Sequence, residues 1–177
     1  MKNILLAVIL AVSLAGCGSV NSSKLEVADT PLGPPKALGA SPQFELENLA
    51  GGILKSADLK DKVVIVDFWA TWCSPCVQEI PNFNALQAEY QGKSVQMLGI
   101  TVESGSLDDV KPFIEKYKIK YPVVMGDEAV VEGFGGVIGF PTTFVVGKDG
   151  QIYKKFLGNP PNKKEQLRKL IETLSGA

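Results

Sequence analysis

Two cysteines three residues apart, Cys73 and Cys76 in the run Trp72-Cys73-Ser74-Pro75-Cys76, have the types and spacing for redox chemistry. They follow the apolar run Val63-Val64-Ile65-Val66-Asp67-Phe68-Trp69 and open a helical pattern, the context in which a C-x-x-C pair reads as a dithiol-disulfide couple. A thiol at a helix N-terminus faces unpaired backbone N–H groups and the positive end of the helix dipole, which favour the thiolate. Lowering a cysteine pKa from about 8.5 to about 7 raises the thiolate fraction at pH 7 from roughly 3% to about half, a stabilisation of about 2 kcal/mol. Cys73 is therefore the expected nucleophile. Cys76 lies on the same helix face and deeper, placed to attack the mixed disulfide that Cys73 forms. A purely structural bridge here would close a very short loop and contribute only about 1.9 kcal/mol by loop entropy.

The 177-residue chain has no histidine, which removes Ser-His-Asp and Cys-His nucleophile pairs, histidine metal sites and c-type haem attachment. With Cys17 assigned below to another use, two thiols remain, too few for a structural zinc site or an iron-sulfur cluster. No metal or other cofactor is expected. The formal charge is −1 with no block of like charges, so nothing points to a nucleic-acid surface or an acidic partner. Asp67 stands out as a carboxylate inside an apolar strand, where burial without a partner would raise its pKa.

The elements that must position these residues follow from periodicity. The continuous apolar run 63–69 reads as a buried central strand. A helix from Ser74 to about Tyr90 carries Cys76, Ile80, Phe83 and Tyr90 near helical spacing; Pro75 is tolerated in its first turn, and Pro81 should kink it. Next come a strand at 95–102, a helix at 107–117, a strand at 121–125, a short helical segment at 128–134, and a strand pair 142–146 and 151–157 about a Lys148-Asp149-Gly150 turn. The last helix, 163–174, puts Leu167, Leu170, Ile171 and Leu174 on one face, while Lys163, Lys164, Arg168 and Lys169 read as a solvated face. Parallel βαβ units followed by a hairpin and a closing helix describe an α/β fold with a mixed sheet and helices on both faces.

The N-terminus carries Lys2 and an apolar run, Ile4 to Leu14, too short to span a bilayer but suited to an export signal. Leu14-Ala15-Gly16-Cys17 resembles the cleavage box of bacterial lipoproteins, which implies a signal at 1–16 and lipid on Cys17; an ordinary cleaved signal with an incidental cysteine is the alternative. Several acyl chains would hold the protein on a membrane durably, where one chain binds marginally. Residues 17–40 are Cys17 and a linker, 18–40, rich in Ser, Gly and Pro and able to reach roughly 75 Å at about 3.3 Å per residue. The folded domain is expected over 41–177.

Val66-Asp67-Phe68-Trp69-Ala70 followed by Trp72-Cys73-Ser74-Pro75-Cys76, together with Gly139-Phe140-Pro141-Thr142-Thr143-Phe144, resembles the thioredoxin superfamily. The lipoprotein-like leader and the Glu79 and Pro81 after Cys76 make it most similar to the TlpA/ResA-type membrane-anchored thiol-disulfide oxidoreductases. That resemblance implies a thioredoxin-like fold with an extra helix-strand insertion before the cis-proline loop, here 107–125. It implies that Pro141 is the cis-proline whose loop, with Phe140, Thr142, Trp72, Ser74 and Pro75, meets the substrate segment. It also implies that Asp67 assists proton transfer at Cys76 and that Glu79 tunes the thiols. Two plain alternatives stay open: a strand aspartate satisfied by local hydrogen bonds, and a glutamate on a helix surface.

The family further implies protein dithiol or disulfide substrates, a membrane thiol electron donor, and work as a reductant, for example on apocytochrome c thiols before haem attachment. The chain is expected to act as a monomer in the cell envelope, outside the cytoplasm. A disulfide oxidase or isomerase, a thiol peroxidase or a redox-gated binding module on the same scaffold are the competing functions. The usual peroxidase setting, Pro-x-x-x-Thr-x-x-Cys, is missing, as are the C-x-x-x-C and histidine of copper carriers.

Overall fold

The computed structural model describes residues 35–176. The expected signal at 1–16, Cys17 and most of the 17–40 linker lie outside the described residues. The central strand is β4, Val63–Trp69, all seven residues of which are buried. The other strands are β1 (Gly39–Ala40), β2 (Glu45–Glu47), β3 (Ile53–Lys55), β5 (Val95–Thr101), β6 (Val123–Met125), β7 (Thr142–Val146) and β8 (Gln151–Leu157). The helices are α1 (Ser74–Glu89), α2 (Leu107–Tyr117), α3 (Glu128–Gly133) and α4 (Lys163–Ser175).

Six strands form one sheet in the order β1-β8-β7-β4-β5-β6. β4, β5 and β6 run parallel, whereas β7 is antiparallel to β4, β8 to β7 and β1 to β8. The connections explain this. Helices link β4 to β5 and β5 to β6, as parallel neighbours require, while the Lys148-Asp149-Gly150 turn joins β7 to β8 as a hairpin. The helix-strand unit expected at 107–125 is α2 and β6, with β6 beginning at Val123 rather than Tyr121. Pro122, which has no N–H to give to a ladder, stands just before it.

Because side chains alternate along a strand, β4 feeds two cores. Val63, Ile65 and Trp69 pack with Cys76, Phe83 and Leu86 of α1 and Leu167 and Ile171 of α4 on one face. Val64, Val66 and Phe68 pack with Val130 of α3, Phe134 and Phe144 on the other. Asp67 has the same parity as Ile65 and Trp69, so the pleat turns it toward α1 and α4.

Three details go beyond the periodicity. Gly39 and Ala40, within the stretch read as linker, form β1 against Gln151 and Ile152. Glu45–Glu47 and Ile53–Lys55 pair as a small hairpin, β2 with β3, whose Leu46 enters the core. α1 continues through Pro81, where the ring leaves the Val77 carbonyl without its helical donor.

Candidate active site

Cys73 is the N-cap of α1, with extended backbone angles, and Pro75 in the first turn gives up no N–H that the helix needs. The two cysteines form a disulfide, each about 4% exposed. Cys73 Sγ accepts a hydrogen bond from the Cys76 N–H at 3.2 Å, the kind of contact that supports a thiolate once the bridge opens. Ser74 and Pro75 are exposed beside it. Trp72 is 63% exposed, its indole N–H bonded to the Glu103 carbonyl at 3.0 Å and its ring edge-on to Phe140 at 5.6 Å.

The bond between Phe140 and Pro141 is cis. Pro141 and Thr142 are buried; Thr142 Oγ1 donates back to the Gly139 carbonyl at 2.7 Å, so that side chain shapes the loop from inside. The Pro141 carbonyl accepts from the Gly158 N–H at 2.7 Å. Phe140, half-buried, is the loop residue that meets Trp72.

Behind the cysteines lies a charged cluster. Asp67 is buried and accepts a hydrogen bond from Thr143 Oγ1 at 2.5 Å, its neighbour across the β4–β7 ladder. Burial pushes its pKa up to about 7, with Lys163 pulling it down, Glu79 pushing it up and the Thr143 bond pulling it down. Glu79 is 2% exposed, one helical turn beyond Cys76. Burial raises its pKa, and the charge and hydrogen bond of Lys163 oppose that rise. Lys163 Nζ lies 2.8 Å from each oxygen of the Glu79 carboxylate.

Lys163 corrects the solvated-face reading of the last helix, since it is 2% exposed. The physical reason is compensation: a carboxylate buried on α1 needs a positive partner, and the first turn of α4 passes over it. Glu79, likewise, is no surface glutamate. Both signals were in the spacing: Lys163 stands four residues before Leu167 and Glu79 four before Phe83, on the buried stripes of their helices.

Residues 39–155 match the AhpC/TSA family. The chain belongs to that family. It is 33% identical over 135 residues to the thiol-disulfide oxidoreductase ResA of Bacillus cereus, covering 76% of this chain and 76% of that protein. It is 34% identical over 131 residues to the thioredoxin-like protein YneN of Bacillus subtilis, covering 73% and 76%. Among solved structures, a thiol:disulfide interchange protein of the thioredoxin family from Chlorobium tepidum superposes with a TM-score of 0.70 at 30% identity, covering 80% of this chain and 98% of that one. The chain is therefore a thiol-disulfide oxidoreductase with a thioredoxin-like fold.

The remaining support was not anticipated from residue types. Ser104 Oγ accepts from the Thr71 N–H at 3.0 Å and from Thr101 Oγ1 at 2.7 Å, tying the approach to Cys73 onto the end of β5. Glu103, which receives the Trp72 indole, has a left-handed φ of 51°. A short loop after β5 thus steadies the strand-to-helix turn from the side. Tyr121 faces the same carboxylates, and burial together with Asp67 and Glu79 pushes its phenol well above its ordinary value.

Proposed function

We propose that Cys73 and Cys76 work as a reductant of protein disulfides outside the cytoplasm, recharged by a membrane thiol donor, on a monomeric domain tethered through lipid on Cys17. The observation that carries this reading is a disulfide at a helix N-terminus, with the exposed Trp72 and the cis-proline loop on one side and the buried Asp67 on the other. The names of the relatives, a thiol-disulfide oxidoreductase and a thiol:disulfide interchange protein, support the chemistry. The N-terminal residues support export and tethering. Thiols kept reduced before haem attachment, as in apocytochrome c, are the substrate class in view.

In the reducing direction the Cys73 thiolate attacks one sulfur of a substrate disulfide, and the other sulfur leaves as a thiolate that takes a proton. The substrate segment lies against Trp72, Ser74, Pro75 and Phe140, with backbone groups of the Pro141 loop offered for pairing. Asp67 accepts the Cys76 proton; Cys76 Sγ then attacks Cys73 Sγ, closing the protein disulfide and releasing the second substrate thiol. Two electrons pass from the dithiol to the substrate. Glu79 shapes the field at these sulfurs from one helical turn away.

The reduction potential of the pair in the full-length chain, equilibrated against glutathione or dithiothreitol, tests the direction. A value near or below about −250 mV is expected; one above about −180 mV would make the pair an oxidant or isomerase instead. Cys76→Ala should then trap mixed disulfides with exported thiol proteins. Cys17→Ser should move the protein from the membrane to the soluble fraction, and a variant still held on the membrane would end the lipid-anchor reading.

A further inference from the structure

Three elements bring charge together behind the cysteine pair: Asp67 from β4, Glu79 from α1 and Lys163 from the first turn of α4, all buried. Lys163 is held on several sides. Beyond its contact with both oxygens of Glu79, Nζ donates to the Gly158 carbonyl at 3.1 Å and lies over the rings of Phe83 and Phe156 at 5.5 and 6.0 Å. Tyr121 approaches from the segment before β6 and stays neutral, its phenol pushed up by burial and by the two acids. Asp67, by contrast, is hydrogen-bonded by an uncharged group, Thr143.

Two carboxyl groups in one dry cluster repel each other's ionisation, so a single proton tends to stay on the pair. The group that touches a cation gives up its proton first. We propose that Lys163 is a positioning residue for disulfide exchange: by gripping both oxygens of Glu79 it keeps that carboxylate ionised and leaves Asp67 as the carboxyl that carries the transferable proton. Lys163 touches none of the reacting atoms. It acts through Glu79 and through its own charge near Asp67, which holds Asp67 within reach of neutral pH against the desolvation that raises it. The inference rests on Asp67 being the proton acceptor for Cys76.

The experiment is Lys163→Met in the full-length chain, read by carbon-13 titration of the Asp67 and Glu79 carboxyls and by the pH profile of disulfide reduction. Glu79 should hold its proton to a higher pH than in the parent, and the Asp67 transition should move upward, since the positive neighbour of both is gone. Reduction at pH 7 should slow about fivefold if the transition rises by about one pH unit, and recover as the pH rises through the new transition. Glu79 still ionised at pH 7, with the Asp67 transition and the rate profile unmoved, overturns the proposal.

Should Lys163→Met fail to fold, Glu79→Gln reads the same linkage from the other side. With the acid gone and the lysine charge still present, the Asp67 transition should move down. Adding Lys163→Met, which leaves the cluster without the ion pair, should move it back up. No movement in either variant overturns the proposal. A failure of the Asp67 reading looks different: Asp67→Asn would leave the rate profile intact while the carboxyl titrations still answered to Lys163.

Discussion

Asp67 is held in a strand whose seven residues are all buried, and a single threonine hydroxyl bonds it. A carboxyl raised to about 7 in the folded chain, against about 3.9 unfolded, opposes folding as the pH rises. Below about pH 4 both states are protonated and nothing is lost. Between about pH 4 and 7 the unfolded chain ionises while the native one does not, so stability falls by up to about 4 kcal/mol across that window and levels off above it. Asp67→Asn should therefore flatten the profile and fold more stably than the parent at pH 8, by a few kcal/mol in urea unfolding of the oxidised form. The same variant should slow disulfide reduction by roughly a hundredfold or more if Asp67 moves the proton. A parent chain equally stable at pH 4.5 and 8 would contradict the raised carboxyl. The two thiols and this acid could be read from residue type, because an acid inside an apolar run and a C-x-x-C at a strand-helix junction are local patterns. Lys163 could not be read from its type, because a lysine at a helix start has an obvious life in water and its partner is 84 residues away in the chain; its place four residues before Leu167 was the signal.

α1 and α4 are joined by two ion pairs of very different burial. Arg168 meets Glu89 at 2.8 Å with both side chains over a third exposed, whereas Lys163 and Glu79 are almost completely enclosed. Solvent screens the first, so Arg168→Ala should cost less than about 1 kcal/mol. Removing one partner of the second strands a buried charge, and Lys163→Met should cost about 3–5 kcal/mol; unfolding midpoints of the two variants compare them directly. β5 sets a second constraint, since Gly99 lies beside Asp67 in the ladder and a Cβ there would come within 2.9 Å of Trp69 Nε1 and 3.2 Å of Tyr121 Cε2. Gly99→Ala should destabilise by about 1–3 kcal/mol through overpacking, and a neutral result would mean that the indole can give way. Elements with strong periodicity, β4, α1, α2 and the β7–β8 hairpin, could be drawn from the sequence nearly to the residue. The β2–β3 hairpin could not, because strands of three residues give too little alternation to count.

At the scale of the molecule, the sheet turns a linear sequence into a site with two aspects. The order of strands sets β7, and with it the cis-proline loop, directly beside β4 and the cysteine turn, although the two motifs are far apart in the chain. The outward aspect is aromatic and partly open at Trp72 and Phe140; the inward aspect is charged and closed at Asp67, Glu79 and Lys163. Fold class was legible because βαβ alternation leaves few topologies. The boundary of the domain was less so: Gly39 and Ala40 join the sheet edge by backbone pairing, which composition does not report. The buried acid has one more consequence, in the chain's capacity as a buffer. Proteins commonly blur the neutral range with histidines, and this one has none. In the oxidised form, where the cysteines are tied up, Asp67 is then a group that exchanges a proton with the medium around neutrality. A plain acid-base titration of that form should show one proton near pH 7 that Asp67→Asn removes, so the state of a single atom at the centre of the fold can be counted in bulk solution, without label or substrate.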